Sequence, residues 1–140
     1  MEKYKFLEHT ADIKFQAFGN SLEEAFFNSF YALKEVMTEN KIIKSSIKKK
    51  IKIKGNDLKS LLYNFLEEAL FLFDAKDFVI SEIKDIKIDL NKFSLKAEVI
   101  GNKASNYKIS NNVKAITYND MEIIEDKKNK KFIIQVVLDV

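Results

Sequence analysis

The chain's single histidine lies in a short polar segment, Glu8–Asp12, between two stretches with the composition of β-strands. Thr and Asp side chains bond readily to nearby backbone groups, so this segment can be an ordinary turn. It can also be half of a site, if a second acidic group from elsewhere in the fold comes to lie beside Asp12. The segment alone leaves both interpretations open.

A second acidic group follows the last apolar run of the chain, where Val136–Leu138 is followed by Asp139 and Val140. If this last strand pairs beside the first two, Asp139 and Asp12 converge. Two carboxylates with a main-chain carbonyl or the chain-terminal carboxylate form an oxygen-rich pocket, which suits a hard cation such as calcium or magnesium. The competing interpretation is that both aspartates cap strand ends or face water.

Other kinds of chemistry have little support. The three glycines lie far apart, so there is no phosphate-binding glycine motif, and no nucleophile-elbow sequence supplies a reactive serine. Without cysteine there is no disulfide or thiol nucleophile, and one histidine makes a zinc site poorly supported. Covalent catalysis is therefore not expected.

The composition predicts one ordinary globular domain over residues 1–140, with 46% hydrophobic and 32% charged residues. No apolar run is long enough to span a bilayer and no secretory signal opens the chain, so the cytoplasm is the expected location. All basic residues are lysine, and the net charge is +3. Because reading base edges favours arginine, a sequence-specific nucleic-acid module, DNA-binding modules included, is disfavoured.

Two helices are predicted, and they start alike. Ser21 and Glu24 form a capping box before an apolar stripe at helical spacing that continues to about Met37. A second helix opens at Gly55–Leu58 and buries a stripe of leucine and phenylalanine. The two starts read Gly-Asn-Ser-Leu and Gly-Asn-Asp-Leu, which indicates either a duplicated strand–helix unit or independent use of the same capping chemistry.

The remaining periodic segments alternate in the manner of strands. Clustered strands with short turns, together with two long helices, predict an α+β fold: two helices packed on one face of a mostly antiparallel or mixed β-sheet, in a single two-layer domain. A polar loop is expected over 102–112 and a charged turn over 126–130. The predicted strands are Tyr4–Leu7, Ile13–Phe18, Lys41–Lys54, Ile83–Leu90, a strand from Phe93 that ends at Gly101, Val113–Tyr118, Met121–Ile124 and Phe132–Leu138.

The segment Lys41–Lys54 is strongly basic, with isoleucines interleaved among lysines. Such a ribbon could contact phosphates. An edge strand fringed with lysine to resist aggregation is the more ordinary interpretation.

Three segments taken together resemble the archease family: His9–Asp12 after an opening strand, Val113–Tyr118, and the closing Leu138–Val140. The helix start at Gly19–Phe26 fits the same pattern. The resemblance implies a small α+β protein that activates the GTP-dependent tRNA-splicing ligase, promoting its guanylylation and its multiple turnover. It also implies a chaperone-like character, since the family has been linked to modulation of RNA methylation.

The resemblance carries a metal site onto Asp12 and Asp139, with Val140 as a main-chain ligand. Calcium is the expected cation, with magnesium or manganese as alternatives. Lys114 is implied to engage the ligase active site, and His9 to orient the Asp12 turn through a hydrogen bond rather than to bind the metal. Contact with tRNA would be indirect, and no membrane or DNA partner is implied.

Three positions depart from the pattern of related sequences. The residue after Gly101 is Asn102 where glutamate is common, the following loop has no histidine, and Asn119 stands where a histidine is common. Functions that depend on those side chains are not expected here. Two other classes of function compete with the activator: direct RNA binding by the ribbon Lys48–Lys54, and metal-assisted hydrolysis with the paired aspartates activating a water.

Overall fold

The computed structural model describes residues 2–140, which form two α-helices, seven β-strands and one short 3₁₀ turn. The helices are α1, Leu22–Thr38, and α2, Leu58–Lys76. The strands are β1, Tyr4–Leu7; β2, Ile13–Gly19; β3, Ile47–Lys54; β4, Phe78–Asp89; β5, Ser94–Lys103; β6, Ala115–Asp126; and β7, Lys131–Asp139.

The strands form two antiparallel sheets, one with the order β1-β2-β7-β6 and one with the order β3-β5-β4. Each helix contacts strands of both sheets, and a single main core joins them. Within that core the rings of Phe26 and Phe65, one from each helix, lie 5.8 Å apart.

The predicted α+β class with two helices is confirmed, but the expectation of a single sheet in a two-layer arrangement is corrected to two sheets. The physical reason lies in the helices. Phe30 and Ala32 of α1 are both buried, although residues two apart in a helix point to nearly opposite sides of its axis. A helix that is apolar over so wide an arc requires cover on more than one side, which a single sheet does not provide.

Four predicted strand boundaries were wrong. The strand predicted over Ile83–Leu90 begins earlier, at Phe78, and ends at Asp89. The basic segment is a strand only from Ile47, because residues 41–46 have no regular structure. The strand expected to end at Gly101 continues to Lys103. The two short strands predicted over 113–124 are one strand, β6, whose pairing with β7 is irregular between Thr117 and Glu122. A bulge there absorbs the polar residues without ending the strand.

The two sheets are built on the same plan. In one unit β3 leads into α2 and then into the hairpin β4-β5, and the strands lie in the order β3-β5-β4. In the other β2 leads into α1, and the hairpin β6-β7 completes it in the order β2-β7-β6. We call the β2-α1-β6-β7 set the outer unit and the β3-α2-β4-β5 set the inner unit, because the inner one is inserted in the chain between α1 and β6.

The local details of the two helix starts also correspond. The amide of Asn28 donates to the carbonyl of Phe18 at 2.7 Å, and the amide of Asn64 donates to the carbonyl of Lys54 at 2.7 Å. In both cases the acceptor directly precedes the glycine of the Gly-Asn motif. Capping chemistry alone does not require these asparagines, so the structure favours the duplicated-unit interpretation.

Candidate metal centre

The pairing of β2 with β7 brings the beginning and the end of the chain together. In this antiparallel pair Ile13 lies opposite Leu138, and the ladder continues to Gly19 opposite Phe132. The next positions beyond the Ile13–Leu138 pair are Asp12 and Asp139. The prediction that the last strand pairs beside the opening strands is therefore confirmed, and both aspartates lie at the same end of one sheet.

Local backbone geometry fixes each side of this sheet end. Ala11 has a φ of 65°, in the left-handed region, and turns the chain immediately before Asp12. On the other side the main-chain N–H of Lys114 donates to the carbonyl of Asp139 at 2.8 Å. The Lys114 side chain is exposed and stands next to this sheet end. Its engagement with a partner stays a prediction.

A cleft of about 630 Å³ opens beside Asp12. Asp12 and Val140 both line it, whereas Asp139 is exposed at the end of β7 and is not among the lining residues. The other lining residues come from β1, the turn after it, the start of β2, the C-terminal end of α1 and two loops; they are Phe6, Leu7, Glu8, His9, Ile13, Glu35, Val36, Glu39, Asn40 and Asn112. The lining thus combines apolar side chains with four carboxylates, those of Glu8, Asp12, Glu35 and Glu39.

His9 lies between two carboxylates. Its Nδ1 is 3.8 Å from Oδ2 of Asp12, and its Nε2 is 3.9 Å from Oδ2 of Asp120. Both distances exceed that of a hydrogen bond, so the bond predicted from His9 to the Asp12 turn is not formed in this structure. Lys14 approaches the same Asp120 oxygen at 3.5 Å. His9 therefore lies close to Asp12 without a hydrogen bond to its carboxylate, and Asp120 lies on the other side of the ring.

Asp120 was not singled out from the sequence. It stands in the β6 bulge with a φ of 53°, and its carbonyl accepts a hydrogen bond from the Gln135 amide at 2.8 Å. The available signal was the polar pair Asn119-Asp120 between apolar strand residues. That signal marks a break in the alternation, but it does not reveal which neighbour the displaced side chain meets.

The donor set at this sheet end consists of oxygens. Among residues 2–140 no group of three or more His, Cys, Asp or Glu side chains is arranged to hold a metal ion. A cation bound here would therefore need a main-chain oxygen of Val140 and water in addition to the aspartates. Carboxylate, carbonyl and water oxygens suit calcium, magnesium or manganese and not a soft metal, so the residues fit a hard cation.

Comparison with known proteins shows to which family this chain belongs. The model of the Archease protein family (MTH1598/TM1083) matches residues 4–140. The chain belongs to the archease family. It is similar to protein archease of Pyrococcus abyssi, with 38% identity over 145 residues that cover 100% of both chains. It is similar to protein archease of Methanosarcina barkeri, with 36% identity covering 99% of this chain and 97% of the relative.

The archease likeness extends to a eukaryotic protein and to a solved structure. The archease-like protein of Drosophila melanogaster is 35% identical over 99% of this chain and 90% of its own length. The solution structure of Methanobacterium thermoautotrophicum protein 1598 superposes with a TM-score of 0.80, at 32% identity and with complete coverage of both chains. The resemblance drawn from the sequence motifs is thus confirmed at the level of family and fold.

One departure from the archease pattern has a local structural role. Oδ1 of Asn102 accepts hydrogen bonds from the N–H of Lys103 at 2.8 Å and from the amide of Asn106 at 3.0 Å. Asn102 therefore organises the loop after β5.

Within residues 2–140, none of the helices has both the length and the apolar character needed to cross a membrane.

Proposed function

We propose that this archease-family protein is a metal-binding, chaperone-like activator of the GTP-dependent tRNA-splicing ligase. In this role it promotes guanylylation of the ligase and repeated rounds of RNA ligation in tRNA splicing. It acts in the cytoplasm as a protein cofactor and is not itself an enzyme. The family match over residues 4–140 supports the choice of partner.

The observation that carries the metal-dependent part of the proposal is the β2–β7 register. It places Asp12 and Asp139 at one end of the first sheet, next to Val140. Carboxylates that approach each other without a cation repel, so a shared divalent ion stabilises this end of the sheet. Calcium is the proposed ion, with magnesium or manganese as alternatives, and Asp12, Asp139 and the main chain of Val140 are its proposed ligands.

The surroundings of the site suit contact with a protein partner. When bound, the cation supplies local positive charge and fixes the chain ends against each other. The adjoining cleft offers apolar surface from Phe6, Leu7 and Val36, which can receive a side chain of the ligase. Lys114 stands exposed beside Asp139, where a flexible ammonium group can approach a phosphate or nucleotide in the ligase active site.

Removing either aspartate tests the proposal. We expect Asp12→Ala and Asp139→Ala to weaken cation affinity at least about 10-fold, since even the residues that merely support metal ligands contribute that much. Stimulation of the cognate ligase should fall to the level of the ligase alone. Cation affinity is read from the thermal shift on addition of calcium or manganese, and stimulation from multiple-turnover ligation. Circular dichroism should show an unchanged fold.

The matched control is Asp74→Ala, which removes an exposed carboxylate from α2, away from the site. This variant should bind the cation and stimulate the ligase like the wild type. If Asp12→Ala and Asp139→Ala also stimulate normally, the metal-dependent activator is refuted. Phosphoester hydrolysis by the protein without any ligase would instead support the competing hydrolase.

His9 should be a neighbour of the site rather than a ligand. Its ring nitrogens lie 3.8 and 3.9 Å from two carboxylates, beyond hydrogen-bond distance, so substitution by Asn breaks no hydrogen bond to them. We expect His9→Asn to keep cation affinity and ligase stimulation within about a factor of three, because exposed ion pairs contribute little. Loss of the cation in this variant would show that His9 belongs to the coordination shell.

A further inference from the structure

The solvent-exposed face of the β3-β5-β4 sheet carries a row of lysines. Residues 41–54 contain seven lysines and no acidic residue. Within β3 the exposed Lys48, Lys50, Lys52 and Lys54 alternate with residues of the opposite face, of which Ile51 and Ile53 are buried. Alternate residues of a strand recur about every 6.8 Å, so these four ammonium groups form a line roughly 20 Å long.

A second row crosses the sheet at right angles to the first. Lys52 lies directly opposite Lys96 of β5, and Lys96 lies directly opposite Lys87 of β4. All three are exposed, and among residues 2–140 none has a carboxylate oxygen within 4.0 Å of its ammonium nitrogen. Like charges placed directly opposite each other destabilise a sheet. The fold therefore carries a repulsion that a bound anion would relieve.

The crossing of the two rows is a shallow depression of about 320 Å³. Lys50, Lys52, Lys87 and Lys96 line it together with two acidic residues, Asp85 and Glu98. Glu98 lies in register between Lys50 and Lys84, and Lys84 also pairs with Glu82 at 3.3 Å. Acidic groups thus balance that neighbouring row, whereas the Lys52–Lys96–Lys87 row keeps an excess of positive charge.

We propose that this lysine face, formed by β3 with Lys96 and Lys87, binds the phosphodiester backbone of RNA. The charge complementarity is to a linear polyanion rather than to a protein, because lysine is depleted from protein–protein interfaces. Lysine ammonium groups act as point charges, so the contact is to phosphates and does not read sequence. The choice of RNA over DNA rests on the proposed function.

The lysine face belongs to the β3-β5-β4 sheet, whereas the candidate metal centre belongs to the other sheet. RNA binding can therefore be measured without the ligase and without a divalent cation. If the protein does not bind RNA, the proposed stimulation of the ligase is unaffected by that result. If the metal-site variants lose ligase stimulation, they should still bind RNA. The two proposals fail separately.

The test is fluorescence anisotropy of the full chain with a labelled 20-base-pair RNA duplex in chelator. Contact with about four phosphates predicts a slope near −4 for log affinity against log salt, which is a loss on the order of 10²-fold between 50 and 200 mM salt. The triple variant Lys52→Glu, Lys87→Glu, Lys96→Glu should abolish most of the affinity and flatten the slope.

The matched control reverses three exposed lysines elsewhere, Lys108, Lys127 and Lys128, and makes the same change in net charge. It should keep affinity within a few-fold of wild type. Equal loss in both variants would show diffuse attraction by net charge and overturn the proposal, as would no binding at all. Tenfold tighter binding to DNA of the same sequence would overturn the assignment to RNA. If the triple variant binds RNA like the wild type but no longer stimulates guanylylation of the ligase in an assay without RNA, the lysine face contacts the ligase and the proposal is overturned.

Discussion

The outer and inner units share one plan, yet only the outer unit has a candidate metal centre. With Gly19 set against Gly55, Asp12 corresponds to Lys48, and Asp139 corresponds to Ile100, the residue that pairs with Lys48. At equivalent positions the outer unit thus has two carboxylates, whereas the inner unit has a lysine opposite a buried isoleucine, one pair before its ladder ends at Ile47 and Gly101. The shared plan brings the two positions together in each unit, and the residues at these positions determine which chemistry is possible.

The two units also differ in continuity. All strands of the inner unit lie within residues 47–103, whereas the outer unit is completed only by β6 and β7, after the inner one. The outer unit also has an additional strand, β1, beside β2. β1 and the turn after it supply one wall of the cleft at Asp12. Among residues 2–140 no strand pairs with β3 at the corresponding edge of the inner unit.

Substitution of the glycine before each helix should give the largest change in stability, and it tests whether the two helix starts are equivalent. A Cβ on Gly19 would collide with the backbone N of Ala25, and a Cβ on Gly55 with the backbone N of Leu61. We expect Gly19→Ala and Gly55→Ala each to lower the free energy of unfolding by about 3 kcal/mol, as overpacking against rigid backbone does. Urea denaturation measures both.

Ser110→Ala in the exposed loop after β5 is the control and should change stability by less than about 0.5 kcal/mol. If one glycine tolerates alanine and the other does not, the two helix starts are not structurally equivalent, and the duplicated-unit interpretation loses its strongest local support.

The paired asparagines should give a smaller and unequal effect. Asn28 is 4% exposed, so Asn28→Ala leaves a carbonyl without its donor in the interior and should cost about 2 kcal/mol. Asn64 is exposed, so water replaces the lost bond to Lys54, and Asn64→Ala should cost about 0.5 kcal/mol. Thermal and urea unfolding of both variants provide the comparison. Equal costs would mean that burial does not distinguish the two bonds.

The helix caps should give the smallest effect, visible only through pH. Ser21 caps α1 with a hydroxyl at 3.1 Å from the N–H of Glu24, whereas Asp57 caps α2 with a carboxylate at 2.8 Å from the N–H of Ser60. The hydrogen bonds from the Ser60 backbone and hydroxyl lower the pKa of Asp57. A lowered pKa in the folded state adds stability above the unfolded value, and this stability is lost as pH falls through the folded value.

The variant Asp57→Ser makes the second cap like the first. Wild type should be more stable than Asp57→Ser at about pH 6. The difference should shrink as the pH falls from the unfolded-state pKa of Asp, about 4, towards the lower pKa of the folded state. Urea unfolding of the two proteins over this range measures the difference. A difference independent of pH would show that the charge of Asp57 does not stabilise α2.

Local signals predicted the helices well. The motifs ending in Ser21 and Asp57 placed both helix starts correctly, because capping depends on a few adjacent residues. The division into two sheets was not predicted, since strand alternation does not say which strands pair. β7 pairs with β2 across more than 110 residues of chain, and no local pattern encodes that choice.

The residues of the candidate site were likewise predicted from the sequence only in part. Asp12, Asp139 and Val140 were selected from short motifs and from family resemblance, and the pairing of β2 with β7 brings their chain segments together. The role of Asp120 depends on a left-handed residue in a bulge, which the sequence does not mark. The cleft wall at the C-terminal end of α1, with Glu35, Val36 and Glu39, was also not predicted, because the signal in this segment was an apolar stripe that indicates core and does not include these residues.

The insertion of the inner unit has a consequence for synthesis. A chain growing on the ribosome holds every strand of the inner unit before any residue of β6 or β7 has been made. The first sheet must wait, because β7 is the strand that lies between β2 and β6. Domains tend to fold as their segments emerge from the ribosome, so we expect the inner unit, which carries the lysine face, to fold early. The approach of Asp12 to Asp139 requires β7 and therefore comes after the inner unit has been made.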